Sequence, residues 1–155
     1  MERTLILLKP DALQRNLIGQ IIERFERKGL KIIGMKMIHV SDDKVKEHYS
    51  HHVEKPFFAD LKNFIQSYPI VAIALEGLEA INTVRVITGT TLGREADAGT
   101  IRGDFSMSQS NNLVHASDSA ENAQKEIERF FDQDELFEYK KLDFEAVYSS
   151  EELEK

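Results

Sequence analysis

The stretch Asn112-Leu113-Val114-His115-Ala116-Ser117-Asp118 sets one histidine at the end of a short apolar run. An amide lies three residues before it, and a hydroxyl and a carboxylate follow within three. A neutral imidazole offers one ring nitrogen as a nucleophile, while a hydrogen bond at the other nitrogen fixes which one that is. The flanking polar groups are of kinds that can orient such a ring and hold a substrate. Phosphoryl transfer suits this set, because it demands positioning and charge neutralisation more than covalent ingenuity. A Ser–His hydrolase fits poorly. Ser117 is only two residues from His115 and lacks the turn sequence that exposes a serine nucleophile.

Three further segments lie upstream: Gly99-Thr100-Ile101-Arg102-Gly103-Asp104-Phe105, Lys55-Pro56-Phe57-Phe58 and Leu7-Leu8-Lys9-Pro10-Asp11-Ala12. In their order, and at nearly the same spacing, the four motifs resemble those of the nucleoside diphosphate kinases, in register from about Arg3 to about Tyr139. The resemblance implies a two-step cycle. A nucleoside triphosphate gives its terminal phosphate to His115, and a nucleoside diphosphate then collects it.

The resemblance also implies residue roles. Glu126, eleven residues beyond His115 in the following helix, matches with Ser117 the pair that orients the nucleophile, and Tyr49 matches the tyrosine beside it. Lys9 matches a lysine that touches both the sugar and the transferring phosphate. Arg85, Arg102 and Thr91 match phosphate-binding groups, and arginine suits that role because its planar fork makes two parallel hydrogen bonds to phosphate oxygens. Phe57 matches the ring on which the base stacks, with Leu61 one helical turn later; stacking on a π-face tolerates every base. Asn112 matches the asparagine that binds the sugar hydroxyl. Magnesium is implied by the substrate. It bridges phosphate oxygens and keeps several waters, so no residue is expected as a direct ligand, and Asp118 is a candidate contact through water. A homo-oligomer follows from the same resemblance, a hexamer favoured over a tetramer.

Some positions depart from the family pattern. Ala116 follows the histidine where many members have Gly. His51 stands where many carry a carboxylate near the nucleophile, and it is expected to add a second titrating group; an unchanged pH–rate profile in His51→Glu would refute that. Gln109 replaces an apolar residue on the far side of the base. Leu92-Gly93-Arg94-Glu95 lacks a common Asn-Pro pair in a loop that shapes subunit contacts. Two other readings stay open at this point: a non-catalytic nucleotide-binding module of the same fold, and a relay that passes the phosphate from His115 to a protein.

These residues need elements to position them. Thr4 to Lys9 reads as a buried strand ended by Pro10. Leu17 to Lys28 has helical spacing and a Gly29 stop. Lys31 to Val40 reads as a strand, and Ser41 opens a short helix to about Tyr49. Pro56 starts a helix to about Ser67, and Ile70 to Leu75 is a core strand. A helix covers roughly Leu78 to Thr88, and 89–110 reads mostly as loop, a length that is usually functional. Leu113 to Ala116 is a short strand. Asp118-x-x-Glu121 caps a helix from about Ser119 to Phe131. The order predicts an α/β fold of ferredoxin-like βαββαβ type, a four-stranded antiparallel sheet with helices on one face, and the resemblance implies the same.

The length, 155 residues, suits one domain, expected over 1–139 with a charged and partly disordered extension over 140–155. Residues 1–120 carry 15 Lys+Arg against 15 Asp+Glu and residues 121–155 carry 5 against 12, so the whole net charge of −7 falls in the last part. That acidity argues against nucleic acid as the main partner. With no cysteine, disulfides and thiolate metal sites are excluded. The apolar run Leu5 to Leu8 is too short for a signal peptide or a membrane span, and a cytoplasmic location is expected.

Overall fold

From Leu5 onward strand β1 (Glu2–Leu8) is buried at every position, and β3 (Ile70–Gly77) is buried at every position but Glu76. A sheet with one wet face would alternate, so such runs require cover on both faces. The computed structural model, which describes residues 1–153, provides that cover. The sheet runs β2-β3-β1-β4 with every pairing antiparallel, β2 being Lys31–Ile38 and β4 only Val114–Ala116. This is the ferredoxin-like arrangement. On one face Ile6, Leu8, Ile73 and Leu75 meet Ile21 and Phe25 of α2 (Ile18–Arg27) and Val84 of α5 (Ala80–Thr88). On the other, Leu5, Leu7, Ala72 and Ala74 meet α3 (Asp42–His48), α4 (Phe58–Gln66) and α7 (Ala120–Phe130) through Val45, Ile65, Ile127 and Phe130. The expectation of helices on a single face is therefore corrected.

Most element ends follow local chemistry. Gly29, at φ +95°, ends α2, and Leu30 N–H donates to the Phe25 carbonyl behind it. Ser41 caps α3 by accepting from Lys44 N–H. The cap of α7 is Ser119, accepting from Asn122 N–H at 3.2 Å, rather than Asp118, which instead accepts from the Asn122 amide at 2.7 Å. Within residues 1–139, two short α-helices escaped the sequence reading. Pro10 does not merely end β1 but opens α1 (Pro10–Gln14), since its fixed φ suits a first turn. Within 89–110 the chain forms α6 (Ile101–Phe105), capped by Thr100.

The tail is more ordered than expected. It forms α8 (Phe144–Val147) and α9 (Ser150–Leu153), and the Tyr148 hydroxyl accepts from Leu78 N–H at 3.4 Å. Val147 sits so close to Gly29 that a Cβ there would come within 2.4 Å of it. The last two positions of the expected extension, 154–155, lie outside the described residues. Among the described residues no helix is long and apolar enough to cross a membrane.

Candidate active site

The chain enters β4 through a strained turn. Leu113 is fully buried with φ +71°, and Val114 N–H donates to the Asn112 carbonyl at 2.8 Å. This is a γ-turn of the rare positive-φ form, which persists only where its surroundings enforce it. Asp11 accepts from Leu113 N–H at 3.0 Å, and Lys9 N–H donates to the Leu113 carbonyl at 2.8 Å. Both peptide groups of Leu113 are thereby pinned to the start of α1. Beyond the turn His115 lies opposite Leu7 in the β1–β4 ladder. Paired residues share a face, so His115 lies on the side where α3 and α7 pack.

On that side His115 Nε2 is 3.1 Å from both carboxylate oxygens of Glu126, and Ser117 Oγ donates to Glu126 Oε2 at 2.6 Å. Ser117 Oγ also accepts from Leu5 N–H at 3.2 Å, which ties the pair to β1. Burial pushes the Glu126 carboxyl up, but the hydrogen bond and charge of His115, then Ser117 and Arg129, outweigh it and hold the group below the usual carboxylate range. An ionised carboxylate only accepts. The His115 proton therefore sits on Nε2, and the Nδ1 lone pair is free among the described residues, on a side chain that is 22% exposed. Tyr49, buried with its ring 6.4 Å from His115, has its hydroxyl pKa raised by burial and then by the charge of Glu126.

A second group gathers around Asn112. Lys9 Nζ donates to Asn112 Oδ1 at 2.6 Å and to the Ser110 carbonyl at 3.4 Å, while Asn112 Nδ2 donates to the carbonyls of Thr91 and Gln109, both at 2.8 Å. Arg102 reaches the carbonyls of Asn112, Gly89 and Val114 at 3.3, 2.7 and 2.6 Å. Three of its five N–H donors thus hold the loop together, and two remain. Burial, then the charge of Arg102, lowers Lys9 to about 8, and burial, then Arg85, lowers Arg102 to about 10. Cations that depress one another are short of negative charge, as an anion site requires. Arg85, exposed in the last turn of α5, joins through its field, which also acts on Asp118. The Thr91 side chain is exposed beside this group.

Phe57 stands at the start of α4 and is 50% exposed, whereas its neighbour Phe58 packs on the core. Leu61, half-buried, lies one turn along. Ring contacts run from His115 to Tyr49 (6.4 Å), from Tyr49 to His52 (6.4 Å) and from His52 to Phe57 (5.2 Å), so a chain of rings connects the nucleophile to the exposed aromatic. The His51 ring lies 3.9 Å from that of His52, tilted at 49°, and Gln109 contributes its carbonyl to Asn112.

Sequence reasoning missed Asp11, Leu113 and His48. The last is buried against His115 with ring centroids 4.4 Å apart. Val45, His48 and Tyr49 are spaced i, i+3, i+4, which places all three on one helix face and was a usable signal. One ligand atom each from His48, His115 and Glu126 lie within 4.8 Å of one another, a cluster able to hold a metal ion. Two imidazoles and a carboxylate suit zinc. Magnesium prefers oxygens, so the set does not fit the cation expected with a nucleotide.

The chain is similar over most of its length to nucleoside diphosphate kinases. A nucleoside diphosphate kinase of Rhodopirellula baltica is 55% identical over 139 residues, covering 90% of this chain and 91% of its own length. One of Parabacteroides distasonis is 49% identical over 152 residues, covering 98% and 99%. The structure of a halophilic nucleoside diphosphate kinase from Halobacterium salinarum, in complex with CDP, superposes with a TM-score of 0.93 at 42% identity, covering 96% of this chain and 99% of that one. The family model for nucleoside diphosphate kinase matches residues 2–136, a span that holds β1 to β4, the His115–Glu126 pair and the cation cluster, and the chain belongs to that family.

Proposed function

We infer that the nucleoside diphosphate kinase reaction of this chain runs through Nδ1 of His115. The observation that carries this is the grip of both Glu126 oxygens on Nε2, which leaves Nδ1 as the free nitrogen. In the first step the Nδ1 lone pair forms a bond to the terminal phosphorus of a nucleoside triphosphate. The bond to the bridging oxygen breaks, and the nucleoside diphosphate departs with that electron pair. The ring becomes a phosphoimidazolium that keeps its proton on Nε2, and Glu126 neutralises it. The second step is the reverse, with a different diphosphate oxygen as the attacking atom. The CDP in the Halobacterium salinarum structure supports a nucleoside diphosphate as acceptor.

Lys9, the two free N–H groups of Arg102, Arg85 and Thr91 bind and orient the phosphates. Asn112 and Lys9 hold the sugar, Tyr49 walls the nucleophile, and Phe57 with Leu61 receives the base by stacking. Magnesium brought with the nucleotide would offset the charge of its phosphates. Asp118, kept below the usual carboxylate range by the Asn122 amide, can hold one of its waters. We assign 1–139 to the catalytic domain and 140–155 to an extension, the assembly to a hexamer rather than a tetramer, and the setting to the cytoplasm.

Intact mass after brief exposure to ATP and magnesium tests the reading. Wild type gains about 80 Da, one phosphoryl group, and GDP removes it, while His115→Ala gains nothing. No adduct on wild type would defeat the proposed carrier. An adduct that GDP cannot discharge would point to a protein acceptor instead.

A further inference from the structure

His48 takes no part in the transfer described above, yet its side chain is 1% exposed and touches the machinery on several sides. Its ring meets His115 at 4.4 Å and 79°, with Tyr49 at 4.6 Å and Phe130 at 5.2 Å. Nδ1 lies 3.9 Å from Glu126 Oε1 and 3.4 Å from a terminal nitrogen of Arg129. A guanidinium only donates, so Nδ1 accepts and the proton of the neutral ring is on Nε2. That nitrogen is buried without a partner among the described residues. Burial, then the charges of His115 and Arg129, keeps the imidazole well below its ordinary range, hence uncharged.

Arg129 is the reason a neutral acceptor matters here. It follows Glu126 by three residues on α7, which places the two side chains on neighbouring positions of one helix face. A guanidinium–carboxylate fork is among the strongest side-chain pairs, and forming it would draw Glu126 away from the nucleophile. In the structure Arg129 instead spends one hydrogen bond on His48 and an ion pair, at 2.9 Å, on Glu47 of α3. Both Glu126 oxygens stay with His115 and Ser117.

We propose that His48 is a positioning residue: it accepts Arg129 through Nδ1 and packs on the His115 ring, so that Glu126 serves the nucleophile alone. An aromatic hydrocarbon would fill the same space without an unpaired buried N–H, but it would release Arg129.

A double-mutant cycle tests this on the intact chain. His48→Phe keeps a ring and removes the acceptor. Single-turnover phosphorylation of His115 should slow by about tenfold or more, the magnitude of one lost charge-assisted hydrogen bond, with nucleotide KM within about twofold of wild type. In an Arg129→Met background the same change should cost little, because the competitor is gone. Nitrogen-15 spectra of the histidines should show His115 as the Nε2–H tautomer in wild type and as a mixture in His48→Phe. Equal losses in both backgrounds, or an unaltered His115 tautomer, would overturn the proposal in favour of plain packing. If the phenyl variant does not fold, the tautomer in His48→Ala decides: a mixture supports the idea, and a wild-type spectrum overturns it. The inference rests on His115 as phosphoryl carrier. A wild type that takes no phosphate would remove that premise, whereas the tautomer spectra report on His48 independently of turnover.

Discussion

Glu126 stays ionised against the pull of burial because His115 and Ser117 hydrogen-bond it. Glu126→Gln preserves the shape and an acceptor oxygen but removes the charge that neutralises the phosphorylated ring. A hydrogen bond to a charged group is worth about 1.5–3 kcal/mol, so rapid-quench phosphorylation at saturating ATP should slow by roughly 10- to 100-fold. Lys9 makes a prediction about pH. With its pKa lowered to about 8 by burial and then by Arg102, the free protein loses this cation as pH rises through 8 rather than through 10.5. Bound phosphate favours the charged form, so the loss appears first in kcat/KM, which reports the free enzyme, and only at higher pH in kcat. Lys9→Arg should flatten that alkaline limb in a steady-state pH series. The sign for stability is opposite. Between about pH 8 and 10.5 the unfolded lysine keeps a proton that the folded one has released, so this residue's contribution grows more favourable with rising pH.

Short helices and one turn, more than long elements, set the site geometry. α6 delivers Arg102 to three carbonyls in two separate segments, that of Gly89 after α5 and those of Asn112 and Val114 on either side of the γ-turn. Arg102 is thus a strut as well as a candidate phosphate ligand, and the two roles separate experimentally. Arg102→Ala should lower stability in thermal or urea unfolding by about 3 kcal/mol or more, since several buried acceptors lose their donor at once. A residue that only bound phosphate would leave unfolding unchanged. The γ-turn at Leu113 acts alongside it, directing Asn112 to Lys9 and, two residues later, His115 to Glu126.

For the whole molecule, the acidic C-terminal part packs against β2, the turn after α2 and the end of β3. Tyr139 bonds to the Ile32 carbonyl at 2.7 Å, while Val147 against Gly29 and Tyr148 against Leu78 lie beyond position 139. A chain ending at 139 should still fold and transfer phosphate. It should melt lower by about 4 °C, the shift expected for roughly 1–2 kcal/mol in a chain of this size. Loss of the cooperative transition in calorimetry would instead make the tail integral to the domain. Sedimentation of the full-length chain, run in parallel, distinguishes the hexamer from the tetramer.

The sequence by itself determined what depends on residue type at short range: the apolar runs of β1 and β3, the Gly29 stop, the Ser41 cap, and the presence of a histidine with an amide and a hydroxyl close by. Its motif spacing also carried the family. It misplaced what depends on cover and on distant partners. Helices on the second sheet face, the bracing role of Arg102 and the ordered tail follow from side chains far apart in sequence, such as Arg102 with Gly89 and Val147 with Gly29. Tertiary structure alone decided the charge states. Lys9, Glu126 and His48 depart from their ordinary ranges because of burial and of neighbours brought in by folding, and those neighbours set which nitrogen of His115 is free to react.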